Sequence, residues 1–119
     1  MPATPATLTV PARPEYARLM RAVADAVVAG ADMATGLLDD LELAVTEAAG
    51  AVMADGTAQR VAMELATGPS SVRCRISAVG DTTPEVDLDP VRRMVLAAIT
   101  ASHDLDRDTG AIQFTISVD

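Results

Sequence analysis

The chain contains no lysine, no asparagine and no tryptophan, and only one residue each of cysteine, histidine, tyrosine and phenylalanine. Each absence removes a class of chemistry. Without lysine there is no Walker-type phosphate loop, no Schiff base and no catalytic ammonium. Cys74 alone allows no internal disulfide and no cysteine-cluster metal site. His103 alone allows no His–His metal pair, and a serine–histidine–acid triad would have to use that one imidazole. Its neighbours Ser102 and Asp104 do not supply one, because a triad is a spatial arrangement and adjacent residues rarely converge. With Tyr16 and Phe114 as the only aromatic residues, little surface is left on which nucleobases could stack. Basic charge is scarce too: 9 arginines against 17 acids give a net charge of −8, which disfavours a phosphate backbone as partner. No stretch approaches the ~20 apolar residues of a membrane span. The N-terminal MPATPATLTV lacks the basic segment and apolar run of a secretory signal. A cytoplasmic location is the expectation.

What is present is 119 residues, 50% apolar and 22% charged, the composition and length of one globular domain. Alanine supplies much of the apolar content. Small side chains let backbones approach but bury little area each, at roughly 25 cal/mol per Å². The core is therefore modest, and both an ordinary small domain and one completed by a partner fit it.

Residues 1–6, rich in Pro, Ala and Thr, are expected to fray, leaving 7–119 as the folded domain. Thr7–Val10 alternates as a short strand ended by Pro11. Tyr16, Leu19, Met20, Val23 and Val27 recur at helical spacing, with Pro14 placed for a first turn and Gly30 for a stop. After a linker at 31–36, a second helix over about 37–54 carries the stripe Leu37, Leu41, Val45, Ala48 and Val52. Gly50 is a weak point inside it, costing up to ~1 kcal/mol against alanine. Val61, Met63 and Leu65 alternate with polar or small residues, as do Val72, Cys74 and Ile76, with Gly68-Pro69-Ser70 joining the two as a hairpin. Period two predicts one buried sheet face and one that is wet or partner-bound. Cys74 belongs to the buried set, which reads as a core thiol rather than a redox switch.

Residues 79–89 read as a loop. Asp89-Pro90 reads as an N-cap and first helical position. A third helix uses Val91, Met94, Val95, Ala98 and Ile99 for its apolar face. Residues 103–110 are polar and turn-like. A last strand, 111–118, alternates Ile112, Phe114, Ile116 and Val118 with Gln113, Thr115 and Ser117. The predicted fold is an α+β two-layer sandwich, a four-stranded mixed sheet with three helices on one face.

One carboxylate stands out. On a helical wheel Glu47 lies about 120° from the Leu41 stripe, beside Asp40, Leu43 and Ala51. It could serve as a general base given a substrate beside it, although spacing alone favours a solvated helix glutamate. The phrase Leu41-Glu42-Leu43-Ala44-Val45-Thr46-Glu47-Ala48-Ala49-Gly50-Ala51-Val52 resembles the central helix of the anti-sigma serine kinases, members of the histidine-kinase-like ATPase superfamily. The order of elements from Leu8 to Val118 resembles theirs too. That resemblance implies the histidine-kinase-like ATPase fold, with Glu47 in the place of the base for water or a target serine.

The nucleotide elements depart from the family's pattern. Ala51 stands where the family has a magnesium-holding asparagine, and no asparagine exists elsewhere to replace it. Ala78 stands where an aspartate receives the adenine amino group. Of the two spaced glycines that follow, Gly80 survives and Thr82 replaces the other. Asp81 is the nearest substitute carboxylate, three positions off register. The glycine-rich lid that would cradle phosphates at a helix N-terminus is replaced by Asp87-Leu88-Asp89-Pro90-Val91-Arg92-Arg93, shortened and with two acids facing the phosphates. Arg92 and Arg93 could attract a triphosphate or complement nearby acids.

What the resemblance then implies is a regulator without a cofactor that binds and sequesters a sigma factor or related regulatory protein, or an anti-sigma antagonist, with no direct contact to nucleic acid or membrane. It also allows a homodimer. Two alternatives stay open: a serine-protein kinase that phosphorylates an anti-sigma antagonist, with Glu47 as base and Gly80 and Asp81 at a residual Mg-ATP site, and a non-catalytic subunit of another complex. Candidate partner contacts are Arg18 and Arg21, placed with Asp25 on the exposed side of the first helix, and Leu43, outside the stripe of the second.

Overall fold

The computed structural model describes residues 5–30 and 35–117. β1 (Ala6–Pro11) leads through a single 3-10 turn, Pro14–Tyr16, into α1 (Ala17–Gly30). α2 (Thr35–Met53), β2 (Arg60–Thr67) and β3 (Ser71–Val79) follow, then α3 (Pro90–Ile99), β4 (Ser102–Asp106) and β5 (Ala111–Ser117). Of the segment expected to fray, Ala6 already belongs to β1, and residues 1–4 lie outside the described residues, as do 31–34 of the expected linker and 118–119 of the last strand.

The sheet has five strands in the order β1-β2-β3-β5-β4, and every neighbouring pair is antiparallel. This corrects both the count of four and the expectation of a mixed sheet. The two errors have one cause. A helical crossover from β3 straight to β5 would have set those two strands parallel. β4 adds a reversal: α3 carries the chain to β4, and β5 returns between β4 and β3, antiparallel to both. β4 escaped detection because it is short and lies at the edge. Only His103 and Leu105 share the helix-side face, opposite Phe114 and Ile112, while Ser102, Asp104 and Asp106 share the other. Acids that look like a polar turn are the open-face half of a period-two pattern.

Val10, Val61, Met63, Leu65, Val72, Cys74, Ile76, Ile112, Phe114 and Ile116 point into one buried layer. α1 rests on β1 and β2, and α2 on β3 and β5. Met20, Ala24 and Val28 of α1 and Leu41, Val45 and Val52 of α2 close the core. Ala44, Ala48, Ala49 and Ala51 are also fully buried, so α2 can lie close to the sheet and to both other helices.

α3 is rotated relative to the expected face. Val91 and Met94 are 69% and 70% exposed, while Leu96 is fully buried and Arg92 turns toward α2. Arg92 and Arg93 mark a polar side that reads as solvent-facing, so periodicity points Val91 and Met94 inward; the pairing of Arg92 with Glu47 reverses that. Asp89 caps the helix as expected, its carboxylate accepting the Arg92 backbone N–H at 2.8 Å, with Pro90 in the first turn.

Candidate functional site

The site follows from where α2 and α3 meet. Glu47 sits on the flank of α2 toward α3, and Arg92 in the first turn of α3 reaches across to it. Arg92 Nη1 donates to Glu47 Oε2 and to the Glu47 carbonyl oxygen, each at 3.1 Å, and its Nε lies 3.6 Å from Asp89 Oδ2. The guanidinium rests directly on Gly50. A Cβ built there would stand 2.6 Å from Arg92 Nη1 and 3.1 Å from Cζ. The glycine that reads as a defect in the helix is thus the floor under an arginine.

The connection from β3 to α3, residues 80–89, is a strap held at two points. Asp55, in the turn after α2, accepts the Glu85 backbone N–H at 2.9 Å through one oxygen. Through the other it accepts the N–H and hydroxyl of Thr57 at 2.9 and 2.8 Å. The Thr57 hydrogen bonds, with the Glu85 bond adding to them, hold its carboxyl below the ordinary range. On the other side Gly110, at φ 73°, lies against the loop, where a Cβ would come within 3.2 Å of the Pro84 carbonyl oxygen. Pro84 and Leu88 are the buried residues of this strap.

These residues do not fit a magnesium nucleotide. Ala51 presents a methyl group that is 1% exposed, with no oxygen to offer a cation. One oxygen of Glu47 is taken by a guanidinium. Ala78 lies opposite Val61 on the helix side of the sheet and cannot accept a hydrogen bond through its side chain. Gly80 has φ 154° and packs on Gln59, a local backbone reason for the one surviving glycine. Asp81 is exposed beyond the end of β3, so strand parity does not govern it and it stands outside the buried layer. Among the described residues no group of histidine, cysteine and acidic side chains could hold a metal ion.

The candidate contact residues separate. Arg18 and Leu43 are exposed, Leu43 by 42%. Arg21 and Asp25 are not on the free side of α1, contrary to the expectation. Four residues apart, they share the flank that faces α2. Arg21 donates to the Thr46 hydroxyl at 3.1 Å. Asp25 lies against Glu42, and one of its oxygens is buried without a hydrogen-bond partner. Burial first, and then the Glu42 and Asp39 charges, raise the Asp25 carboxyl above its ordinary value, with Arg21 opposing.

Among the described residues no helix covers the far face of the sheet. A shallow hollow of about 410 Å³ lies on it, lined by Glu64, Arg73, Arg75, Asp104, Gln113 and Thr115 among others. Its charges are mixed in sign. Reasoning from sequence missed Arg92 as the partner of Glu47 and the exposed apolar side of α3. The signal available for the first was Gly50 itself, a glycine inside an otherwise strong helix.

No protein-family model matches the chain, and no curated protein is similar to it in sequence. Its fold is similar to that in the crystal structure of the RsbU and RsbW domains of Rv1364c from Mycobacterium tuberculosis, with a TM-score of 0.69 and 20% sequence identity over 96% of this chain. The chain spans 32% of that longer one. At this identity the likeness establishes the fold.

Proposed function

We propose that this chain is an anti-sigma-type regulator that binds and sequesters a sigma factor or a related regulatory protein and does not phosphorylate a target at the expense of ATP. The observation that carries this reading is the Arg92–Glu47 pair seated on Gly50. It occupies the carboxylate that the family resemblance assigns as base and fills the space beside it. Catalysis needs a base positioned against a bound phosphate donor. Ala51, Ala78 and the Asp87–Pro90 segment supply none of the groups that would hold one. The shared fold with a structure of RsbU and RsbW domains supports a regulatory setting.

Binding surface is plentiful by contrast. The outer side of α3 carries Pro90, Val91, Met94, Ala97 and Ala98, all exposed and uncharged. In a chain of net charge −8, such a patch can dock apolar surface while the overall field steers in a basic partner.

The test is isothermal titration with Mg-ATP, beside co-elution with purified candidate sigma factors and antagonists in the presence and absence of nucleotide. Nucleotide-independent co-elution with a sigma factor is the expected result. Low-micromolar Mg-ATP binding, or phosphate transfer that disappears in Glu47→Ala, would replace this reading with a kinase. Stable co-elution with a different class of protein would replace the sigma factor as partner.

A further inference from the structure

The two arginines at the start of α3 go different ways. Arg92 turns to Glu47 on α2. Arg93 lies about 100° further round the helix, on the flank where α3 packs on β4. There its Nη2 donates to the Leu88 carbonyl at 3.1 Å. A separate hollow of about 260 Å³ opens on that side, lined by Leu88, Arg93, His103, Asp104, Leu105 and Arg107. Glu47, Gly50, Ala51 and Ala78 do not border it.

Three nitrogen-bearing side chains reach this hollow from three places, and each is held where it stands. The bond to Leu88 fixes one guanidinium nitrogen of Arg93 and leaves its other N–H groups for a ligand. His103 pairs with Phe114 in the ladder, which puts it on the helix side of β4, and Leu105 shares that face opposite Ile112. Arg107 opens the turn after β4. The backbone around it is tied down: Asp106 Oδ1 accepts the Asp108 N–H at 3.0 Å, and the Gly110 N–H donates to the Asp106 carbonyl at 2.7 Å. Leu88, 5% exposed, and the half-buried Leu105 supply apolar walls. Charges interact more strongly against such walls than in open water.

The nearby acids are engaged or turned away. Asp104 pairs with Gln113 and so belongs to the open face of the sheet. Asp89 caps α3 and faces Arg92. Asp106 closes its own turn, and Asp87 and Asp108 are exposed. Among the described residues both ion pairs belong to Arg92, so the guanidiniums of Arg93 and Arg107 have no carboxylate within 4.0 Å. A net charge of −8 spread over the whole chain does not cancel this cluster, because salt screens charges beyond ~8 Å.

Donors arriving from three elements suit three oxygens rather than two. A carboxylate is planar and is satisfied by one guanidinium fork. A phosphate monoester presents three oxygens and close to two negative charges at neutral pH. At ~30 Å³ per water, the hollow has room for a phosphoryl group and a small substituent.

We propose that the hollow between α3 and β4 binds the phosphoryl group of a phosphate monoester, with Arg93 and Arg107 on its oxygens and His103 as the third donor. The site does not depend on which protein the chain sequesters. His103 is the only histidine, so its ring gives a single imidazole signal. Titration of the chain with glycerol phosphate should move that signal saturably, with half-saturation at or below about 1 mM. Arg93→Ala and Arg107→Ala should each weaken binding at least about tenfold. Arg107→Ala removes none of the hydrogen bonds that hold α3, so it carries the test if Arg93→Ala disturbs the helix. Arg60→Ala, at the exposed start of β2, removes the same charge and should leave binding unchanged. Inorganic phosphate separates the sources: weaker binding than glycerol phosphate supports the ester, and equal binding overturns it in favour of free phosphate. Succinate bound as tightly as glycerol phosphate overturns the phosphoryl assignment. An imidazole signal that does not saturate, or an affinity that falls as far in Arg60→Ala as in Arg107→Ala, overturns the site itself.

Discussion

Gly50→Ala should be close to neutral in this protein, although alanine is the best helix former. The arithmetic has two parts. Replacing an interior helical glycine gains about 1 kcal/mol in propensity. The new Cβ would stand 2.6 Å from Arg92 Nη1, far inside contact distance, so the guanidinium must move. Moving it forfeits the two 3.1 Å bonds to Glu47. Both side chains are partly exposed, 29% for Arg92 and 21% for Glu47, so those bonds contribute together about 1–1.5 kcal/mol rather than the value of a buried pair. The net change is thus about 0 to 0.5 kcal/mol of destabilisation. Arg92→Ala alone should cost about 1–1.5 kcal/mol for the same lost bonds. With Arg92 already gone, the Cβ meets no guanidinium, and Gly50→Ala should return its full ~1 kcal/mol. The double-mutant cycle, measured by urea unfolding, should give a coupling of about 1–1.5 kcal/mol between positions 50 and 92. If Gly50→Ala stabilises equally in both backgrounds, to within about 0.3–0.5 kcal/mol, Arg92 does not rest on Gly50 and the closed site is wrongly drawn.

Four further outcomes follow from the same structure. Leu96→Ala should cost about 2–4 kcal/mol and Met94→Ala less than about 0.5 kcal/mol in equilibrium unfolding; the reverse order would return α3 to the face expected from periodicity. Asp25→Asn should stabilise the fold at neutral pH by about 0.5 kcal/mol, through relief of like charge beside Glu42. Because the folded carboxyl is raised, the native state binds its proton more readily than the unfolded chain. The wild type should therefore gain stability from this group as pH falls from neutral through the folded value, and Asp25→Asn should remove that gain from the pH profile. Ala51→Asn should destabilise by roughly 1–3 kcal/mol rather than confer Mg-ATP binding, because it places an amide without partners where the side chain is 1% exposed. Cys74, buried and with its thiol pushed up by desolvation, should react with a thiol reagent only as fast as the chain opens.

The elements that could be read from sequence were those with a clean period and a marked end. The β2–β3 hairpin announced itself by alternation around Gly68-Pro69-Ser70. α3 announced its start by Asp89-Pro90, and α2 its length by a stripe running from Leu37 to Val52. β4 could not be read, because at a sheet edge only His103 and Leu105 need to face inward and the acids between them mimic a turn. The facing of α3 was misleading rather than blank: Arg92 and Arg93 mark a polar side that reads as solvent-facing, and Arg92 is in fact turned inward to Glu47. The site was half legible. Glu47 and its alanine neighbours could be picked out, but its partner lies 45 residues away in sequence, and no local pattern encodes a contact at that range. Arg21 and Asp25 showed the same limit. Their spacing placed them on one flank of α1, and only the packing of α2 determined that the flank was covered.

On the proposed reading, the residues around α2 act together rather than singly. A fold that holds helices apart to admit a ligand has a space to fill if the ligand's anchors are removed. An unfilled void costs about 24 cal/mol per Å³, so ~300 Å³ would cost ~7 kcal/mol, comparable to the whole stability of a small domain. Here Arg92 lies on Gly50, and the 80–89 strap, held at Asp55 and against Gly110, buries its own Pro84 and Leu88. Each of these works only with the others. Arg92 can approach because residue 50 has no side chain, and its charge is tolerated because Glu47 remains. On this reading Glu47 serves as a counter-ion to Arg92. A carboxylate at that position is then no evidence of turnover, and the Arg92 that faces it is the residue to examine in deciding whether a protein of this fold can use a nucleotide.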